Sequence, residues 1–132
     1  MERCPVCQSR IRNKETCPRC KANLKTVIQS EKNAKLWLAK AIHYLQNNET
    51  ESAINALEKS LWLNKTLLGV SVRHFLIRKQ TRKILILLQQ KNLTAAKKQI
   101  YLIRRLFPYS LQLEQLRNFL DYLHSRQHIT SE

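Results

Sequence analysis

The sequence predicts a mainly α protein, in which a small four-cysteine module at the N-terminus precedes an antiparallel stack of about five helices. Three observations carry this expectation. All four cysteines lie between residues 4 and 20, and none follows. The chain has one glycine and three prolines, with no proline from residue 21 to 107, a helix-rich composition. After Leu24 the apolar residues recur at helical spacing. The organisation expected is a metal module over 1–25, a helical domain over 26–126 and a flexible tail over 127–132.

A chain of 132 residues has room for such a module plus one modest domain. No run approaches the roughly 18 uncharged apolar residues of a spanning helix, so membrane insertion is not expected. A charged, cysteine-rich stretch occupies the place of a secretory h-region. The expected location is therefore the cytoplasm, where paired cysteines are more often metal ligands than disulfides.

The cysteine spacing is C-x2-C-x9-C-x2-C, through Cys4, Cys7, Cys17 and Cys20. Two intervening residues let one tight turn present both sulfurs to one ion, and the nine-residue connection brings the second turn opposite. Four thiolates then close a tetrahedron with no open position, which describes a structural site rather than a catalytic one. Pro5 and Pro18 follow the first cysteine of each pair and pre-set φ for the turn.

With Ala22 and Leu24 after the last cysteine, residues 3–25 resemble the short bacterial zinc ribbons, whose pattern is Cys-Pro-x-Cys twice, then a small residue and Leu. The resemblance implies one structural Zn²⁺ held by Cys4, Cys7, Cys17 and Cys20. Gln8 and Lys21 stand where these ribbons usually carry Gly, a departure that also weakens a rubredoxin-like iron reading. Redox iron and a disulfide are the other readings of the motif.

In the body, Ala34, Trp37, Leu38, Ala41, Ile42, Tyr44 and Leu45 form one helical stripe, and Ala53, Ala56, Leu57, Ser60, Leu61 and Leu63 a second. These predict helices over about 31–47 and 50–64, joined as a hairpin. Trp37, Ala41, Tyr44, Ala53, Leu57 and Ser60 resemble the large and small positions of a tetratricopeptide unit. A second unit reads through Ile84, Leu87, Ala96, Ile100 and Ile103 to Pro108. Ala53 and Ala96 are 43 residues apart, beyond the roughly 34 of a regular array, so the stretch NKTLLGVSV is expected to absorb the excess. A last helix over about 110–125 presents Leu113, Leu116, Leu120 and Leu123 inward, with Ser110 as its N-cap. Trp62 falls off its stripe and is expected to pack under the ribbon or the next helix.

The net charge is +15, and no acidic residue occurs between Glu58 and Glu114. A solvated helix surface normally mixes signs, so this interval points to an anionic partner. Arg78, Lys79, Arg82 and Lys83 span one arc of the third helix. On a fourth helix over about 93–106, Tyr101 has Lys97, Lys98, Arg104 and Arg105 as its helical neighbours. Such a ring stacks a base while the cations hold phosphates, or it receives an acidic peptide. A plain solvated face is the competing reading.

Catalysis is not expected. There is no glycine-rich phosphate loop, the cysteines are committed to metal, and the acids are scattered. The expected function is a non-enzymatic adaptor or scaffold subunit, which docks onto the acidic surface of a larger assembly through its basic helices. The alternative is a sequence-nonspecific or RNA-directed nucleic-acid-binding protein.

Overall fold

The computed structural model describes residues 2–12 and 14–130, with side chains as far as Gln127. Five α-helices follow the cysteine segment: α1 Lys25–Gln46, α2 Thr50–Leu63, α3 Leu67–Gln89, α4 Leu93–Leu102 and α5 Leu111–Thr130. A 3-10 segment, Arg104–Tyr109, separates α4 from α5. No helix among the described residues is long and apolar enough to cross a membrane.

α1 begins six residues before the expected start, directly out of the cysteine segment. The reason is the pair Leu24 and Ile28, one turn apart: Leu24 is buried among the cysteines, Ile28 packs on the same cluster, and the Ile28 amide donates to the Leu24 carbonyl at 2.9 Å. α1 then packs closely along α2. Ala34, Ala41 and Ala56 are buried at or near this interface, and Ser60 Oγ donates to the Ala34 carbonyl at 2.7 Å. Small side chains here let the two backbones approach.

The hairpins α1–α2 and α3–α4 turn in the same way. Asn48 and Lys91 both take left-handed φ of 58°, while the Glu49 amide donates to the Tyr44 carbonyl and the Asn92 amide to the Leu87 carbonyl. Each pair of equivalent residues is 43 apart, the same offset that relates Ala53 to Ala96. Asn tolerates this conformation better than Lys, so the second turn is the more strained.

The stretch expected to absorb the extra length is a three-residue link, 64–66, followed by the first turns of α3. α3 starts at Leu67, with the Thr66 side chain accepting from the Gly69 amide at 3.0 Å. A Cβ on Gly69 would lie 2.8 Å from Leu61 Cδ2, so the single glycine lets the first turn of α3 approach α2. The surplus residues lengthen α3 at its N-terminal end.

Between α2 and α5 runs the main core, built on Ala53, Ile54, Leu76, Ile84, Ile103, Leu106, Leu113 and Leu120. Each large side chain buried here contributes roughly 1.5–3 kcal/mol. α4 stops at Leu102 rather than continuing to 106, because Pro108 has no amide for the Arg104 carbonyl and the chain tightens into the 3-10 segment. Ser110 caps α5 as expected, accepting from the Leu113 amide at 3.3 Å. α5 continues to Thr130, into the segment read from sequence as a tail; residues 131 and 132 lie outside the described residues.

Candidate metal centre and basic surfaces

The cysteine segment is built from two copies of one turn, 13 residues apart. In the first, the Gln8 amide donates to the Cys4 carbonyl and the Cys4 amide to the Ser9 carbonyl; in the second, Lys21 donates to Cys17 and Cys17 to Ala22. Antiparallel bridges close each copy, Arg3 with Arg10 and Thr16 with Asn23. Ile11 and Leu24 hold equivalent places in the two copies, and both are buried with Cys4 and Cys17. Gln8 and Lys21 take left-handed φ of 62° and 58°, a conformation that Gly adopts with the least strain.

The two turns bring all four sulfurs within 4.8 Å of one another. Cys4 Sγ is 3.6 Å from Cys20 Sγ, and Cys7 Sγ is 3.6 Å from Cys17 Sγ, so the thiols are free and grouped rather than bonded in pairs. The protonation of the group is divided. The Cys20 amide, then the Ser9 hydroxyl, lower the Cys17 thiol to about 5. The Ser9 hydroxyl also lowers Cys7. At Cys20 the Ala22 amide pulls downward, but desolvation and the three neighbouring sulfurs outweigh it and push that thiol up to about 12. Four negative sulfurs this close repel one another, and a central cation removes the conflict. The donor set therefore fits one metal ion that accepts four thiolates in a closed tetrahedron.

Ser9 is the candidate site residue that the spacing of the cysteines did not disclose. Its Oγ lies 3.0 Å from Cys7 Sγ and 3.3 Å from Cys17 Sγ, bridging the two turns. With a metal held by the cysteines, a hydroxyl there would donate to a thiolate ligand and moderate its charge. Ser9→Ala is expected to weaken metal affinity about tenfold, measured by competition with a chelator, with all four ligands retained.

The basic residues separate into different environments. Arg78, Lys79, Arg82 and Lys83 are all exposed on α3, and among the described residues no carboxylate pairs with them. Lys97, Lys98 and Tyr101 line a shallow depression with Leu102, and Arg104 stacks on the Tyr101 ring at 4.2 Å while donating to its carbonyl. Lys97 approaches Asp121 of α5 at 4.0 Å. Arg105 is engaged elsewhere: it donates to Asn55 Oδ1, and to Glu58 at 3.0 Å, both on α2. The end of α4 at Leu102 removes the helical geometry that would have set Arg105 beside Tyr101.

Trp62 corrects an expectation. It packs under neither the ribbon nor the next helix; it is 94% exposed, at the rim of an open cleft of about 830 Å³ that α1, α2, α3 and the 3-10 segment line. Trp37 lines the same cleft, with the ammonium groups of Lys40 and Lys59 at 4.4 and 4.3 Å from its ring. No family model, curated protein or solved structure matches the chain.

Proposed function

We propose that this protein is a non-enzymatic cytoplasmic adaptor, which docks through the outer face of α3 onto an acidic, partly apolar surface of a larger protein assembly. The observation that carries the reading is the composition of that face. Phe75 is 53% exposed and Ile86 47%, and both share an arc with Arg78, Lys79 and Arg82. A surface meant for phosphates alone gains nothing from exposed Phe and Ile, whereas a protein partner buries them and pairs with the cations.

The cysteine module is read as a ribbon holding one structural Zn²⁺. In support, the set is all sulfur, and its 3.6 Å edges approach the edge of about 3.8 Å given by Zn–S bonds of about 2.3 Å. The helical body is read as two tetratricopeptide-like hairpins. The burial of Ala41, Ala53, Leu57 and Ser60, and the equal turns at Asn48 and Lys91, support that reading.

Capture from the protein's own host, followed by reconstitution with the captured protein in purified form, tests the docking face. Replacing Arg78, Lys79, Arg82 and Lys83 together by Gln is expected to weaken the complex about tenfold or more and to flatten its salt dependence. Replacing Phe75 and Ile86 by Ser weakens it by a similar factor with the salt dependence kept. A complex indifferent to both sets of changes removes α3 as the docking face.

A further inference from the structure

We infer that the cleft beside Trp62 is a second binding site, for single-stranded nucleic acid, with a base stacked on the Trp62 indole and the neighbouring phosphates held by Lys59, Lys65 and Arg73. This site is separate from the α3 docking face, and its test does not depend on that reading.

The first support is the indole itself. Trp62 is 94% exposed, although Leu57, Leu61 and Leu106 line the same cleft and offer it apolar cover. A tryptophan left in water beside available apolar surface presents a flat face to something outside the chain. The second support is the charge. Lys59, Lys65 and Arg73 line the cleft, and among the described residues none of them is ion-paired. Glu58 is the one carboxylate in the lining, and Arg105 neutralises it at 3.0 Å. The third support is Arg73. Its guanidinium lies 3.9 Å from the centre of the Tyr109 ring, and its Nε is buried with no acceptor within the protein. The Tyr109 ring thus holds this cation in the lining of the cleft, where its guanidinium can meet an anion.

An exposed indole and cations in one cleft complement a single strand, which carries flat π surface beside negative charge. A duplex keeps its bases stacked inside and offers Trp62 nothing. An acidic peptide in extended form needs a row of backbone partners, and the cleft is walled by helices whose amides are already bonded within the helix. Stacking also explains sequence tolerance, because every base has a π face.

The sequence contains two tryptophans, so Trp37→Phe leaves Trp62 as the sole reporter. The full-length, metal-loaded variant is titrated with a 12-nucleotide oligouridine at several salt concentrations, reading tryptophan emission together with the anisotropy of a label on the RNA. Binding is expected to quench Trp62 in step with the anisotropy. Trp62→Ala, an exposed position that leaves the fold intact, should weaken binding about 5- to 150-fold with the slope of log K against log salt unchanged. Lys59→Gln and Lys65→Gln should each reduce that slope by about 0.7. A duplex of the same length and uridine monophosphate should bind far more weakly than the 12-mer.

Three results would overturn the inference: anisotropy rising with no change in Trp62 emission, Trp62→Ala binding as tightly as the parent, or duplex and single strand binding alike. Uridine monophosphate binding as well as the 12-mer would replace the strand by a free nucleotide. An oligoglutamate peptide displacing the RNA and quenching Trp62 at equal concentration would transfer the cleft to an acidic protein segment.

Discussion

Cys17→Ser is expected to release a bound metal and to cost residues 2–12 and 14–24 their fixed structure, while most of the far-UV helical signal remains. The physical reason lies in how the apolar residues are divided. The cysteine segment has Ile11 and Leu24 as its buried apolar side chains besides Cys4 and Cys17, and Ile28 is the residue of α1 that joins them. That is too little burial to hold more than 20 residues against their conformational entropy, at roughly 1–2 kcal/mol of backbone entropy per residue. A metal held by the four cysteines would offset the difference, since a structural Zn²⁺ site, for example, supplies roughly 10–16 kcal/mol of apparent free energy. The helical body has two core clusters of its own, which contain no cysteine. The check is metal content per chain, circular dichroism at 222 nm and amide exchange, compared between parent and variant. Exchange should accelerate from residue 2 to about the first turn of α1, since Ile28 loses its neighbours. A collapse of helicity with the metal would mean that the cysteine segment and the helices fold as one unit. An iron absorption spectrum in the purified protein would reassign the metal.

What the sequence made legible is what depends on local spacing. The cysteines at x2 and x9 intervals define their turns without help from the rest of the chain, and the stripes through Ala34, Ala53, Ala96 and Leu113 mark largely buried faces, although Ile42 and Leu63, counted on the first two, are exposed. What it hid depends on where two distant turns meet or where a helix ends. Ser9 reads as a loop serine until the second cysteine turn brings Cys17 within 3.3 Å of it. The start of α3 is masked because Leu67 and Leu68 are 85% and 59% exposed, apolar residues that point away from the core and blur the period. Continuous helical spacing would set Arg105 beside Tyr101, but Pro108 ends the α-helical geometry early, and its partners Asn55 and Glu58 lie on α2, about fifty residues away in the chain. Trp62 differs for the opposite reason: its position off the apolar stripe is legible in the sequence and agrees with its exposure, whereas the usual burial of tryptophan predicts otherwise.

Ala53→Leu and Ala96→Leu are each expected to destabilise the helical body by roughly 1–3 kcal/mol, because added methylenes force strain into a packed interior. Both alanines are completely buried in the main core, one on α2 and one on α4. Each follows a hairpin turn at the same step, with the Ala53 amide bonded to the Glu49 carbonyl at 3.0 Å and the Ala96 amide to the Asn92 carbonyl at 3.1 Å. A leucine at either place points into space already filled by neighbours such as Ile54, Leu76, Ile84 and Ile100. For a domain of about 100 residues, each kcal/mol lowers the thermal midpoint by about 4–8 °C, so the effect is measurable in a melt followed at 222 nm. Ala39→Leu is the control. It lies exposed on α1 and should shift stability by no more than about 0.5 kcal/mol. Because the two alanines share one core, the double variant should depart from additivity, whereas each combined with Ala39→Leu should not. Midpoints unchanged in both buried variants would mean that the helices do not approach closely where the 43-residue equivalence puts them, and the reading of two like hairpins would fall with that result.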